Sequence, residues 1–219
     1  MSNTRDNYLW LQLWQENHTA FHQTSVNALL TKYWPQFDAN KNSRVFIPLC
    51  GKSLDILWLA QQGHQVIGVE LSPIAVRAFF EENNLVSTQQ KSGLFTLWQH
   101  QNISILCGDF FALSQSDLGH IDSVYDRAAL TALPEDLRQP YIHHLHTLIP
   151  TSCNIFLLTV EDIEQSTTTS LIDSEITTLY SSKFDIKLTC VENAMGLVPT
   201  VENVLHDTEY KVYELIHKI

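Results

Sequence analysis

The stretch IPLCGKSLDI, residues 47–56, closes an apolar run and opens a helical pattern, with one glycine, Gly51, ahead of Lys52 and Ser53. Glycine at a strand end allows a tight turn and a close approach of backbone to ligand. A phosphate-binding loop needs another glycine five residues before its Gly-Lys-Ser, so that the backbone amides can curl around phosphates. Here that position is Phe46, inside the apolar run. The three-glycine turn that receives a dinucleotide pyrophosphate is also missing. Yet Glu70 ends the next apolar run, about 20 residues on, where an acid takes the hydroxyl pair of a ribose. A ribose acid without a phosphate cradle points to an adenosine ligand that has no pyrophosphate. S-adenosylmethionine fits that description, and its sulfonium cation favours aromatic faces and acidic surroundings. Two readings compete with this one: Glu70 as a plain solvated carboxylate, and Gly-Lys-Ser as part of a nucleotide phosphohydrolase.

Aromatic residues precede the turn. In YLWLQLWQENHTAFHQ, Trp10 and Trp14 stand four apart and share a helix face, which Leu13 and Asn17 widen. They are read either as packing onto the core or as part of a lid over the ligand, with Phe21 against a second substrate.

The elements that position these residues alternate along the chain. Strands are expected at 44–49, 64–71, 103–110, 122–127 and 153–160. Between them fall a helix over 53–63, with Leu54, Leu57 and Trp58 on one face, and a helix begun by Ser72 and Pro73. Further helices are expected over 134–149 and 170–182. The first two strands are almost wholly apolar, as buried parallel strands are, whereas 208–219 alternates as an antiparallel strand does. Successive β-α-β units give an α/β doubly wound sheet, mostly parallel, with an antiparallel C-terminal strand. Ligands of such sheets lie outside the strands' carboxyl ends, here Leu49 to Ser53, Glu70, Gly108 to Phe111, and Asp126 with Arg127. Residues 85–102 suggest a hairpin turning at Lys-Ser-Gly, 166–170 a Ser/Thr loop, and 192–207 a loop beside the site.

Lys and Arg number 13 against 24 Asp and Glu, a net charge of −11, which repels nucleic acid and anionic membranes and leaves small molecules as partners. No signal-peptide pattern opens the chain and no long apolar run crosses it, so the expectation is a soluble, cytoplasmic protein; a monomer is expected, though no sequence feature fixes the oligomeric state. Cys50, Cys107, Cys153 and Cys190 stand singly, without the spacing of a zinc site. His143 and His146 share a helix face but have no partner at ligand spacing, so they are read as a surface face and no metal is expected.

Taken in order, Trp10 and Trp14, TAFHQ, VFIPLCGKSLDILWLAQQGHQVIGVELS and YDRAALTALP resemble the thiopurine S-methyltransferase family over most of residues 8–150. The resemblance implies a Rossmann-like class I methyltransferase forming one domain over 1–219, with 1–43 as a helical lid. It implies S-adenosylmethionine as the methyl donor, released as S-adenosylhomocysteine, and a small thiol, thiopurine or other chalcogen compound as acceptor, selenium and tellurium included. Leu49, Gly51, Glu70, Trp10, Trp14, Asp109, Phe110 and Arg127 are then the cofactor-binding residues. Phe21 and His22 face the acceptor, and Arg127 and Asp126 are the catalytic candidates. On the residues alone, Asp126 is a base or a structural acid, and Arg127 stabilises a thiolate or simply pairs with Asp126 or Glu70. A protein that keeps the cofactor pocket without turnover is a further alternative. Two regions depart from the family pattern: 163–176 lacks the Gly-Pro-Pro-Phe common in bacterial members, and 192–207 has no Lys or Arg.

Overall fold

The computed structural model describes residues 4–37, 42–162, 170–197 and 205–218. Two helices open the chain, α1 (Thr4–Gln15) and α2 (Ala28–Phe37). Strand β1 (Arg44–Ile47), helix α3 (Asp55–Gln61), strand β2 (Gln65–Glu70) and helix α4 (Pro73–Glu82) follow. A hairpin of β3 (Thr88–Ser92) and β4 (Phe95–His100) leads to β5 (Ile103–Cys107). After α5 (Gln115–Leu118) come β6 (Ser123–Arg127), α6 (Ala129–Ala132), α7 (Glu135–Leu148), β7 (Asn154–Asp162) and α8 (Ser170–Tyr180). Strands β8 (Phe184–Leu197) and β9 (Leu205–His217) close the fold.

All nine strands form one sheet in the order β3-β4-β5-β2-β1-β6-β7-β9-β8. The inner five, β5, β2, β1, β6 and β7, are parallel, and both edges are antiparallel. From β1 the chain steps to β2 on one side and returns to β6 on the other, which opens a crevice at the carboxyl ends of those strands. One apolar layer packs beneath α7 and α8, around Phe46, Leu106, Val124, Tyr141, Leu157 and Tyr180. The other packs beneath α2, α3 and α4, around Val45, Val66, Phe79, Tyr125 and Phe156.

Local chemistry sets the element ends. Ser72 caps α4, its Oγ accepting the Ala75 amide at 3.3 Å, with Pro73 in the first helical position. Asn17 takes the left-handed conformation and closes α1, with the His18 amide donating to the Leu13 carbonyl at 2.9 Å. The expected hairpin is present, turning at Gly93 and Leu94.

Three expectations are revised. Residues 192–197 and 205–207 are not loop but the distal arms of a β8–β9 hairpin, paired as far as Leu197 with Leu205, so the antiparallel C-terminal part has two strands. Residues 198–204 lie outside the described residues, as does the Ser/Thr run except Ser170, which begins α8. Helix α3 buries Asp55, Ile56 and Leu59 rather than the Leu54, Leu57 and Trp58 face, because hydrogen bonds hold Asp55 inward. His146, expected on a surface, is half-buried and its ring lies against Phe184.

Candidate active site

The turn after β1 bends through two left-handed residues, Leu49 (φ 47°) and Gly51 (φ 54°). Leucine seldom adopts that conformation, which costs on the order of 1–2 kcal/mol, so the surrounding structure must hold it there. Part of the hold comes from Glu70 at the end of β2, only 6% exposed. Its Oε2 accepts the Gly51 amide at 2.8 Å and its Oε1 accepts the Ser72 amide at 2.7 Å. Burial pushes its carboxyl up to about 6, against the pull of the Ser72 and Gly51 amides. Each oxygen keeps a lone pair beyond its amide bond, the acceptor geometry a ribose diol requires. Beneath the turn, Gly68 leaves room for Cys50, since a Cβ there would lie 2.7 Å from the Cys50 Sγ.

Helix α1 lies across this crevice. Near its start, Asn7 donates to Asp109 at the end of β5 (3.0 Å), and near its end Trp14 packs on Gly51 after β1, within 3.4 Å of where a Cβ would stand. Seven residues of helix span about 10 Å, which matches the two strand spacings from β5 over β2 to β1. Asn7, Trp10 and Trp14 recur at helical intervals, so one face of α1 meets the strand ends. The chain reversal at Asn17 returns Phe21 edge-on to both tryptophans, with ring centres 5.4 Å from Trp10 and 5.5 Å from Trp14.

At the end of β5, Asp109 Oδ1 accepts the Phe111 amide at 3.0 Å and caps the short turn Phe110–Ala112. The Phe110 ring is buried against Tyr141, and its carbonyl contacts the His144 ring nitrogen at 3.1 Å. The Phe110 side chain therefore belongs to the core, and the half-buried Asp109 is the more accessible of the two.

At the end of β6, strand alternation sends Asp126 and Arg127 to opposite faces. Arg127 joins Tyr125 on the α3 side. Its Nε donates to Asp55 Oδ2 at 2.7 Å and its Nη2 to Ser53 Oγ at 2.8 Å; the Tyr125 hydroxyl donates to the same Asp55 oxygen at 2.9 Å. Burial disfavours the charge on Arg127, but Asp55 and Tyr125 outweigh it and hold the pKa above the ordinary arginine value. The ion-pair partner of Arg127 is thus Asp55, neither Asp126 nor Glu70. Asp126 is fully buried on the α7 side, where it accepts the Tyr141 hydroxyl at 2.7 Å and the Ala129 amide at 3.1 Å. Burial pushes its carboxyl up to about 6. His22 is half-buried; burial and then Lys52 lower its pKa, so the imidazole is neutral at neutral pH.

Lys52 donates to Glu82 at 2.7 Å and the Gly51 amide is held by Glu70, so both halves of a phosphate loop's donor set are already engaged. The donor set suits a ligand with hydroxyls and a cation better than one with phosphates. A separate groove between α8 and β8, lined by Thr177, Phe184, Ile186 and Leu188 among others, shares no residue with this turn. Among the described residues no group of three or more His, Cys, Asp or Glu is placed to hold a metal ion.

Sequence reasoning placed Ser53 at the ligand-facing strand end but did not single out Asp55 or Tyr125. A usable signal existed: Tyr125 and Arg127, two apart on one strand, share a face, and a buried arginine there requires an acid.

Solved structures with this fold include an S-adenosylmethionine-dependent methyltransferase from Anabaena variabilis, with TM-score 0.62 and 16% identity over 100% of this chain and 96% of that one. Another is the 1,6-didemethyltoxoflavin-N1-methyltransferase of Burkholderia thailandensis, solved with 1,6-didemethyltoxoflavin and S-adenosylhomocysteine bound. Its TM-score is 0.63 at 12% identity, covering 97% of this chain and 87% of that one. The fold is accordingly the Rossmann-like class I fold of S-adenosylmethionine-dependent methyltransferases. The family model for thiopurine S-methyltransferase matches residues 5–218. The thiopurine S-methyltransferase of Stutzerimonas stutzeri is 53% identical over 216 residues, 97% of this chain and 92% of that protein. That of Nitrosomonas eutropha is 45% identical over 182 residues, covering 82% and 83%. The chain belongs to the thiopurine S-methyltransferase family, and it is an S-adenosylmethionine-dependent methyltransferase.

Proposed function

We propose that residues 1–219 form a single cytoplasmic, monomeric enzyme that methylates the sulfur of neutral thiopurines or other aromatic and heterocyclic thiols, with α1 and the chain returning through Phe21 as its lid; α2, also within the expected 1–43 lid, packs in the core instead. The observation that carries this reading is the one-glycine turn, its Gly51 amide held by Glu70 and its outer side covered by Trp14, on which Phe21 packs edge-on. Glu70 takes the ribose hydroxyls, the backbone of Leu49 and Gly51 meets the methionyl portion, and Asp109 with the backbone of Phe110 borders the adenine. Trp10 and Trp14 cover the sulfonium. S-adenosylmethionine, when bound, supplies a methyl group already activated on that sulfonium.

The chain's own task is then to align a sulfur nucleophile with the methyl carbon and to exclude water. The tryptophan pair and Phe21 exclude water, Phe21 also packs on the acceptor ring, and the neutral His22 borders the same space. The acceptor thiol ionises easily and loses its proton to water before it is enclosed; Arg127 favours the thiolate form through its charge, and the thiolate sulfur takes the methyl as the methyl–sulfonium bond breaks. Asp126, on the far face, holds α6 and α7 rather than serving as a base. Lys52 is engaged by the Glu82 carboxylate, which supports acceptors without a carboxylate or phosphate of their own, while Arg127 keeps one edge for the thiolate beyond its contacts with Asp55 and Ser53. At the carboxyl end of β7, Lys211 lies among Glu161, Asp173 and Glu209 and adds no net positive charge there. Selenium and tellurium compounds, soft nucleophiles of the same group, fall within this reading. Arg127→Ala is expected to lower kcat/KM for a thiopurine at least tenfold while the affinity for S-adenosylhomocysteine changes less than twofold. Equal loss of both would remove Arg127 from the acceptor side.

A further inference from the structure

Asp55 is 1% exposed and joins three parts of the molecule. Its Oδ2 accepts from Arg127 Nε and the Tyr125 hydroxyl, and its Oδ1 accepts the backbone amide of Asn27 at 2.8 Å. Asn27 in turn begins α2, its own Oδ1 accepting the Leu29 and Leu30 amides at 2.9 and 3.2 Å. One carboxylate thus fixes the end of β6, the start of α3 and the chain that returns from the aromatic segment. With Ser53 Oγ it holds the guanidinium by the Nε and Nη2 side, and among the described residues no hydrogen bond falls on Nη1. A guanidinium is a rigid planar fork, so holding one edge aims the other.

We propose that Asp55 is a positioning residue for methyl transfer: it holds Arg127 by one edge so that Nη1 faces the acceptor, and ties that arginine to the chain carrying Phe21 and His22. The proposal rests on the acceptor-side role of Arg127 given above. Buried ion pairs are weak evidence of stability in themselves, and a role in fixing geometry is the better-attested use.

The test is a double-mutant cycle of Asp55→Asn and Arg127→Ala. Its main readout is the calorimetric affinity of 6-mercaptopurine for the complex with S-adenosylhomocysteine, which involves no turnover; kcat/KM is followed in parallel. Asp55→Asn in the native chain is expected to weaken 6-mercaptopurine at least tenfold and to leave S-adenosylhomocysteine within threefold. In the Arg127→Ala background the same change is expected to have less than a twofold effect, because the group through which Asp55 acts is gone. Equal losses in both backgrounds would mean that Asp55 serves the fold alone, and would overturn the proposal. No loss from Arg127→Ala by itself would overturn the acceptor role of Arg127, and this proposal with it. Should Asp55→Asn not fold, Ser53→Ala releases Nη2 and the Asp55 amide, which the same Oγ accepts at 3.2 Å, but leaves the carboxylate on Nε. It is expected to act in the same direction by a smaller factor and likewise to have no effect without Arg127; additive losses would again overturn the proposal.

Discussion

The two strand-end acids, Glu70 and Asp126, differ in what surrounds them, and Asp126→Asn separates structure from chemistry at the second. In the fold Asp126 is fully buried and its carboxyl is pushed up to about 6, against an ordinary 3.8. The native state therefore holds a proton that the unfolded chain releases between about pH 4 and 6. Stability must fall as pH rises through that window, by about 3 kcal/mol for this one group. Asparagine imitates the protonated form: its oxygen can keep the Ala129 amide and its NH2 can donate to the Tyr141 oxygen. The assay is urea unfolding followed by tryptophan fluorescence, from pH 4 to 7.5, on dilute native and variant protein. Subtracting the curves removes the titration of Glu70 and the histidines, which both proteins share. The difference, variant minus native, is expected to rise by about 3 kcal/mol toward high pH, while kcat stays within fivefold of native. A flat difference would show that burial does not raise this carboxyl. A hundredfold loss of kcat in a variant that remains folded would return Asp126 to the role of base.

Two further outcomes follow from the packing. Gly68→Ala places a Cβ 2.7 Å from the Cys50 Sγ directly beneath the turn, so unfolding in urea is expected to show a loss of about 1–3 kcal/mol. Adding Cys50→Ala should restore most of it, and no rescue would mean that the clash lies elsewhere. Phe21→Ala removes two edge-on contacts with Trp10 and Trp14 and is expected to raise the KM for 6-mercaptopurine about 5–10-fold, or about 1–1.4 kcal/mol; an unchanged KM would place Phe21 outside the acceptor space.

Much of the fold was legible because its signals are local. The apolar runs of β1 and β2, the Ser72-Pro73 helix start and the 85–102 hairpin each depend on neighbours in sequence, and each is present, the hairpin turning at Gly93-Leu94 rather than across Lys-Ser-Gly. Helix α2 falls within the segment expected to be helical but was given no bounds and read as lid: Pro35 sits in its last turn and reads as a breaker, yet Trp34 is buried there and its Nε1 donates to His64 Nε2 at 3.0 Å. The arms of the β8–β9 hairpin looked like loop because Gly196 and Asn193 are poor strand formers, a preference that pairing with β9 overrides. The turn and Glu70 could be read from their spacing. The Asp55 network was legible only on its β6 side, where Tyr125 and Arg127 share a face; the acid itself could not be named, since its hydrogen bonds join residues 70 and 72 positions apart and it breaks the apolar pattern of its own helix.

The most direct test of the account is calorimetric titration of the native protein and Glu70→Ala with S-adenosylhomocysteine. Micromolar binding to the native protein is expected, with binding to the variant at least tenfold weaker, roughly 1.4 kcal/mol. Absence of binding to the native protein would contradict the assignment of the one-glycine turn as the cofactor site, and equal affinity in both would remove Glu70 as the acid that holds the ribose.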